Sequence, residues 1–151
     1  MTIEVLLTDK TGSEFTSEFL EAVSKKVFDM TEAAFQEAEI SVLITDDTEI
    51  QALNSQYRQK DYATDVLSFP MSEYPLDDGG MLGDIAISID TAKKQAKENE
   101  IPLNREFAFL YIHGLLHLLG YDHETSQEDE EEMFDLQEAI LREVIAAKLA
   151  E

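Results

Sequence analysis

REFAFLYIHGLLHLL, residues 105 to 119, is apolar nearly all round the helix that its spacing predicts. A helix with one polar side lies on a surface, whereas this one has no wet side and is expected to be the buried central element. Gly120 should end it, because glycine takes the backbone conformation found just past a helix terminus. Pro102 and Asn104 open it, so the expected span is about Asn104 to Leu119.

Four stretches read as strands from their apolar and β-branched content: IEVLLT (3–8), ISVLIT (40–45), DVLSF (65–69) and MLGDIAISI (81–89). Between the first two, Phe15, Phe19, Ala22, Val23, Val27, Met30, Ala34 and Phe35 recur at helical spacing. They predict an amphipathic helix from about Ser13 to about Glu37. Asp46 and Asp47 are N-cap candidates for a helix through Leu53 and Tyr57. YRQKDYATDVLSFP (57–70) reads as a polar loop entering a strand that Pro70 closes, and MSEYPLDDGG (71–80) as a surface loop. Asp90 is expected to cap the basic helix TAKKQAKENE. Thr125 or Ser126 should cap a last helix, with Glu128 or Asp129 in the capping-box position. The fold class is α+β. One domain over residues 1–151 should hold a mixed sheet of about four strands packed with about five helices, with a metal site at the end of the buried helix.

Composition narrows the function classes. The 151 residues suit one compact core. The absence of cysteine removes disulfides, thiolate ligands and a cysteine nucleophile together. No apolar run is long enough to cross a bilayer, and MTIEVLLTDKTG lacks the basic start of a signal peptide. A cytoplasmic protein is expected. Thirty-three Asp and Glu against eleven Lys and Arg give a net charge of −22, which opposes polyanionic partners. Much of the excess sits in local blocks such as residues 128–132, the pattern of a solvated helix face. Contact with nucleic acid must therefore come from a local basic site.

All three histidines of the chain fall within HGLLHLLGYDH, at His113, His117 and His123. The first two lie four apart on one helix face and can share a cation, and the turn after Gly120 can bring His123 back to a third position. A fourth position stays open for water or substrate, as in catalytic rather than structural zinc sites. Zinc is expected because three neutral imidazoles suit it, although nickel or copper would also bind such a set. The spacing H-x-x-x-H-x-x-G-x-x-H matches the metzincin peptidase pattern except at one position. Gly114 stands where those enzymes carry the glutamate that activates water. Close helix packing and room beside a metal are equally good reasons for that glycine. Glu106 lies about 10 Å back along the helix, too far to ligate with the histidines but within reach of a supporting or structural role. Asp122 can orient an imidazole or simply form the turn.

YRQKDYATDVLSFP, LGDIAIS and HGLLHLLGYDH, in this order along the chain and at this separation, resemble the YbeY family of bacterial metal-dependent endoribonucleases, also called ribosomal RNA maturation factors. The resemblance covers nearly the whole chain. One departure is Ala63, where the family usually has proline before Thr-Asp-Val-Leu-Ser-Phe. The resemblance implies a single-strand-specific RNA hydrolase of ribosome biogenesis, acting in small-subunit ribosomal RNA 3′-end maturation and quality control. It also implies one divalent metal per chain, held by His113, His117 and His123, with Arg58 a functional residue nearby. The implied partners are ribosomal RNA and ribosomal proteins or the small subunit, with neither DNA nor membrane.

The residues fit that chemistry on their own terms. A guanidinium is planar, permanently charged and bidentate, which suits the anionic transition state of phosphodiester cleavage. Arg58 is the best candidate, on a loop with Lys60 beside it as a further RNA contact. Lys93, Lys94 and Lys97 form a second basic cluster whose default is an exposed helix face. Asp65 and Asp84 read as structural caps at strand edges, and no general base stands out. Two other readings stay open. One is a non-catalytic ribosome assembly factor whose metal fixes the fold and whose acidic surface meets basic proteins. The other is a zinc peptidase-like hydrolase without the usual glutamate.

Overall fold

The computed structural model describes residues 2–31, 33, 35–71, 79–121 and 126–150. Along the chain lie β1 (Thr2–Asp9), α1 (Ser17–Thr31), β2 (Glu37–Thr45), α2 (Asp47–Arg58), β3 (Val66–Pro70), β4 (Gly79–Ser88), α3 (Ile89–Glu98), α4 (Leu103–Leu118) and α5 (Gln127–Ala146). The strands form one mixed sheet in the order β1-β2-β4-β3, with β1, β2 and β4 parallel and β3 antiparallel on the β4 edge. Parallel neighbours require a crossover, and α1 supplies the one from β1 to β2. This is the α+β arrangement of four strands and five helices that the pattern predicted.

The period of two along each strand divides the interior. On β2, Ala38, Ile40, Val42 and Ile44 join the main core with residues of α1, α4 and α5, while Leu43 faces the opposite side. On that side Ile50 of α2, Leu67 and Ala86 build a smaller core. Strand β3 is split in the same way, with Val66 on the α4 side and Leu67 and Phe69 on the α2 side.

Helix α4 is the central element, and ten of its sixteen residues are buried. Phe107, Ile112, Leu115 and Leu116 have no exposed surface, and burial of each contributes on the order of 1.5–3 kcal/mol. Phe107 stacks on Phe15 with ring centroids 3.8 Å apart. The helix ends as expected. Leu119 is the C-cap, Gly120 takes φ 100°, the Gly120 N–H donates to His117 O at 3.0 Å and the Tyr121 N–H to Leu116 O at 3.1 Å. These two bonds are a Schellman ending.

Gly114 packs α4 against the sheet. A Cβ there would stand 3.0 Å from Ile85 Cγ2 and 3.3 Å from Val66 Cγ2, so close approach of helix and sheet explains the residue. On β4 the pairing with β2 skips Leu82, and Gly83 beside it has φ 149°. A Cβ on Gly83 would lie within 2.4 Å of the Phe69 carbonyl oxygen, so only glycine fits this approach of β3 to β4.

Several local expectations are corrected. α1 spans Ser17–Thr31 rather than residues 13–37. At its start the Asp9 carboxylate accepts from the backbone and hydroxyl groups of both Thr11 and Ser13, which holds those residues in a turn. At its end Glu37 already pairs with Thr2 in the sheet. Ser88, not Asp90, caps α3, and the Asp90 carboxylate instead accepts the Asp47 N–H at 3.1 Å. Asp46 caps α2 and Ser126 caps α5, both as expected. Gly79 and Gly80 belong to β4 rather than to the surface loop expected over 71–80, of which residues 72–78 lie outside the described residues, as do Asp122, His123 and Thr125. Among the described residues no helix is long and apolar enough to cross a membrane.

Candidate active site

The last two turns of α4 carry His113 and His117, and their spacing of four puts both rings on one side of an otherwise buried helix. The two Nε2 atoms stand 3.1 Å apart, with ring centroids at 4.7 Å and planes at 76°. Two nitrogens sharing one tetrahedral zinc at about 2.0–2.1 Å each would lie about 3.3 Å apart. The observed spacing is within a few tenths of that.

Gln137 settles which nitrogen of His113 is available. On α5 it occupies the buried stripe Met133, Gln137, Ile140, Val144, where a polar side chain must find partners. Its Nε2 donates to the Phe109 carbonyl at 3.1 Å, and a carbonyl can only accept, so Oε1 faces His113 Nδ1 at 3.1 Å. His113 Nδ1 must then carry the proton, which leaves a lone pair on Nε2 aimed at the meeting point with His117. This is the outer arrangement by which proteins orient a ligating imidazole. The histidine pair therefore fits a metal, and His113 and His117 are the described residues that would hold it. Among the described residues no third His, Asp or Glu is grouped with them, and His123 lies outside that set. Replacing Gln137 by leucine keeps the volume and frees the tautomer. We expect zinc affinity to fall about 10–100-fold, read by competition with a chromogenic chelator.

The histidines open onto a cleft of about 530 Å³ shared with Arg58, Lys60, Tyr62 and Asp65. The loop assignment of Arg58 is corrected, because Arg58 is the last residue of α2. Gln59 then turns the chain with φ 59°, and the Gln59 and Lys60 N–H groups donate back to Ser55 O and Asn54 O at 3.2 Å each. The buried Asn54 ties this corner down by donating from Nδ2 to Tyr62 O at 2.9 Å. Helix end, turn and loop thus bring Arg58 and Lys60 to one cleft despite the net charge of −22. Lys93, Lys94 and Lys97 remain on the exposed face of α3, outside this cleft. Asp84, on β4, lines a separate apolar groove with Tyr57 and Phe69.

Glu106 is buried two turns before His113. Burial, and secondarily the Asp65 carboxylate nearby, raise its pKa above the ordinary 4.5. A carboxyl raised on folding binds its proton more tightly in the native state. Its stabilising protonation is complete below about pH 4.5 and is lost as pH rises through the native pKa. Glu106→Gln should therefore melt higher than the parent at pH 7, with the difference closing at pH 4, as scanning calorimetry at the two pH values would show.

Two residues beside the histidines are not marked as site residues by the sequence. Gln137 had a signal, a lone amide within an apolar helical stripe, but its partner lies on another helix. By type and place Asp65 is a cap, and it does accept the Val66 N–H at 2.8 Å, yet it also lines the cleft.

An α+β sheet protein with a paired-histidine cleft edged by Arg and Lys is the class these features define. The chain belongs to the endoribonuclease YbeY family, whose model, described as Endoribonuclease YbeY, matches residues 6–145. A protein of that name from Sulfurihydrogenibium is 45% identical over 129 residues, covering 85% of this chain and 84% of that protein. Another from Bacillus licheniformis is 43% identical over 150 residues, covering 93% and 94% respectively. The solution structure of TM1509 from Thermotoga maritima superposes with a TM-score of 0.66 at 30% identity, over 97% of this chain and 91% of that one.

Proposed function

We propose that this chain is a metal-dependent, single-strand-specific endoribonuclease of ribosome biogenesis, acting in late small-subunit ribosomal RNA 3′-end maturation and quality control. The proposal includes one divalent ion, zinc, bound by His113, His117 and His123. The observation that carries it is the convergence of the His113 and His117 Nε2 atoms at 3.1 Å in a cleft that also holds Arg58 and Lys60. Bound zinc would polarise a phosphoryl oxygen or lower the pKa of water toward neutrality. The chain's own residues do the rest. Gln137 keeps His113 in the ligating tautomer, Arg58 grips two phosphate oxygens as their charge grows, and Lys60 draws the neighbouring phosphate into the cleft. Half-exposed Tyr62 offers a ring on which an unpaired base can stack, which favours single strands over duplex.

The acidic surface favours the second reading, a non-catalytic assembly factor that docks on basic ribosomal proteins. The same surface also makes such partners available to the enzyme. A peptidase reading finds little support. The catalytic glutamate of those enzymes would have to occupy the space at residue 114 that Ile85 and Val66 fill. The test is cleavage of single-stranded against double-stranded RNA by the zinc-loaded chain, run beside His117→Ala and Arg58→Ala. We expect single-strand cleavage that both substitutions slow at least about 100-fold, and no proteolysis of casein. Cleavage indifferent to both would mark a contaminant and put the assembly reading ahead.

A further inference from the structure

Phosphodiester cleavage needs a proton acceptor for the attacking hydroxyl, and Arg58 and Lys60 carry donors only. The chain has 33 acidic residues, yet among the described residues that line the cleft Asp65 is the single carboxylate. It is held from two sides. One oxygen accepts the Val66 N–H at 2.8 Å and the Thr64 hydroxyl at 3.4 Å, and the other accepts Gln95 Nε2 from α3 at 3.3 Å. A carboxylate offers about four lone-pair sites, so these three bonds leave one for a molecule in the cleft. A cap at the start of β3 needs only the Val66 bond. Gln95 adds an orientation that capping does not require. Behind it, Glu106 of α4 is buried, and burial first and the Asp65 charge second raise its pKa above the ordinary value.

We infer that Asp65 is a catalytic residue that accepts the proton of the attacking hydroxyl during RNA cleavage, oriented for this by Val66 and Gln95. The inference rests on the hydrolase reading above. As the bond from the attacking oxygen to phosphorus forms, its proton passes to the free lone pair of Asp65. The bond from phosphorus to the leaving ribose oxygen breaks, and that oxygen takes a proton from solvent. Asp65 returns its proton to solvent before the next turnover. Nothing is oxidised or reduced.

The test is cleavage of a fluorescent single-stranded oligoribonucleotide by the zinc-loaded full chain and its Asp65→Asn, Asp65→Ala and Asp65→Glu variants, with zinc content and oligonucleotide binding measured beside kcat. Asp65→Asn should lower kcat at least about 100-fold with binding and zinc unchanged. Formate should restore about tenfold to Asp65→Ala, where it can fill the vacated space, and nothing to Asp65→Asn. A structural cap would show no such rescue. Where the Asn variant does not fold, Asp65→Glu carries the test. A base on a longer arm loses at least about tenfold in kcat, whereas a merely capping carboxylate stays within about twofold. An active parent with an equally active Asn variant, a loss confined to KM or zinc content, or absence of formate rescue overturns the inference alone. A parent that binds zinc and cleaves nothing overturns the hydrolase reading, and the inference with it.

Discussion

Alanine at His117 should leave a chain that folds, retains little zinc and cleaves single-stranded RNA at least about 10³-fold more slowly than the parent. That rate loss corresponds to about 4 kcal/mol of transition-state stabilisation. His117 is only half-buried, and the packing of this turn is carried by Leu115, Leu116 and Leu118, so the thermal midpoint should barely move. The loss falls on the metal. With His117 gone, the His113 Nε2 lone pair has no partner nitrogen at 3.1 Å, and a divalent ion would have to close its coordination with water. Elemental analysis after dialysis, with a cleavage assay on the same sample, reads both quantities. Retention of one ion and full activity would contradict the assignment. Because the Gln137 tether remains, added zinc should rescue part of the activity at high concentration, as a weakened but oriented site requires.

Arg58→Ala should separate the two halves of the cleft. Zinc content stays at the parent level, while kcat falls about 10²–10³-fold, the range for losing a principal donor to a developing oxyanion. Arg58→Lys should recover little, because a compact ammonium cannot present two parallel N–H groups to a phosphate. Arg58 sits at the C-terminal end of α2, where a cation also offsets the helix dipole, so a small fall in stability accompanies the change. Its size, about 0.3–1 kcal/mol, is too small to explain the rate. Equal activity of the alanine variant, or loss of zinc with it, would remove Arg58 from the role proposed.

These expectations differ in how far they were readable beforehand. The histidine pair was plain because four residues is one helical turn, and the helix that carries it is apolar enough to leave no doubt of its state. Gly120 was equally plain, since its left-handed backbone serves the helix ending directly. The ends of α1 were not. An amphipathic pattern runs on through residues 13–16 and beyond Thr31, while the Asp9 carboxylate and the pairing of Glu37 with Thr2 compete for the same backbone. Ser88 and Asp90 are both good caps by type. The choice fell to Ser88 because Asp90 meets the Asp47 N–H, a contact 43 residues distant in the chain.

Periodicity and composition alone were enough for the α+β class, the buried helix α4, the four strands and the placing of His113 and His117 on one helix face, because each depends on neighbours within a turn or a pleat. The meeting of Arg58, Lys60 and Asp65 with the histidines arises only when β3 pairs beside β4 and α4 crosses beneath them. The tautomer of His113 likewise waits on α5 bringing Gln137 against α4. Long-range packing sets these distances, and no local preference encodes them.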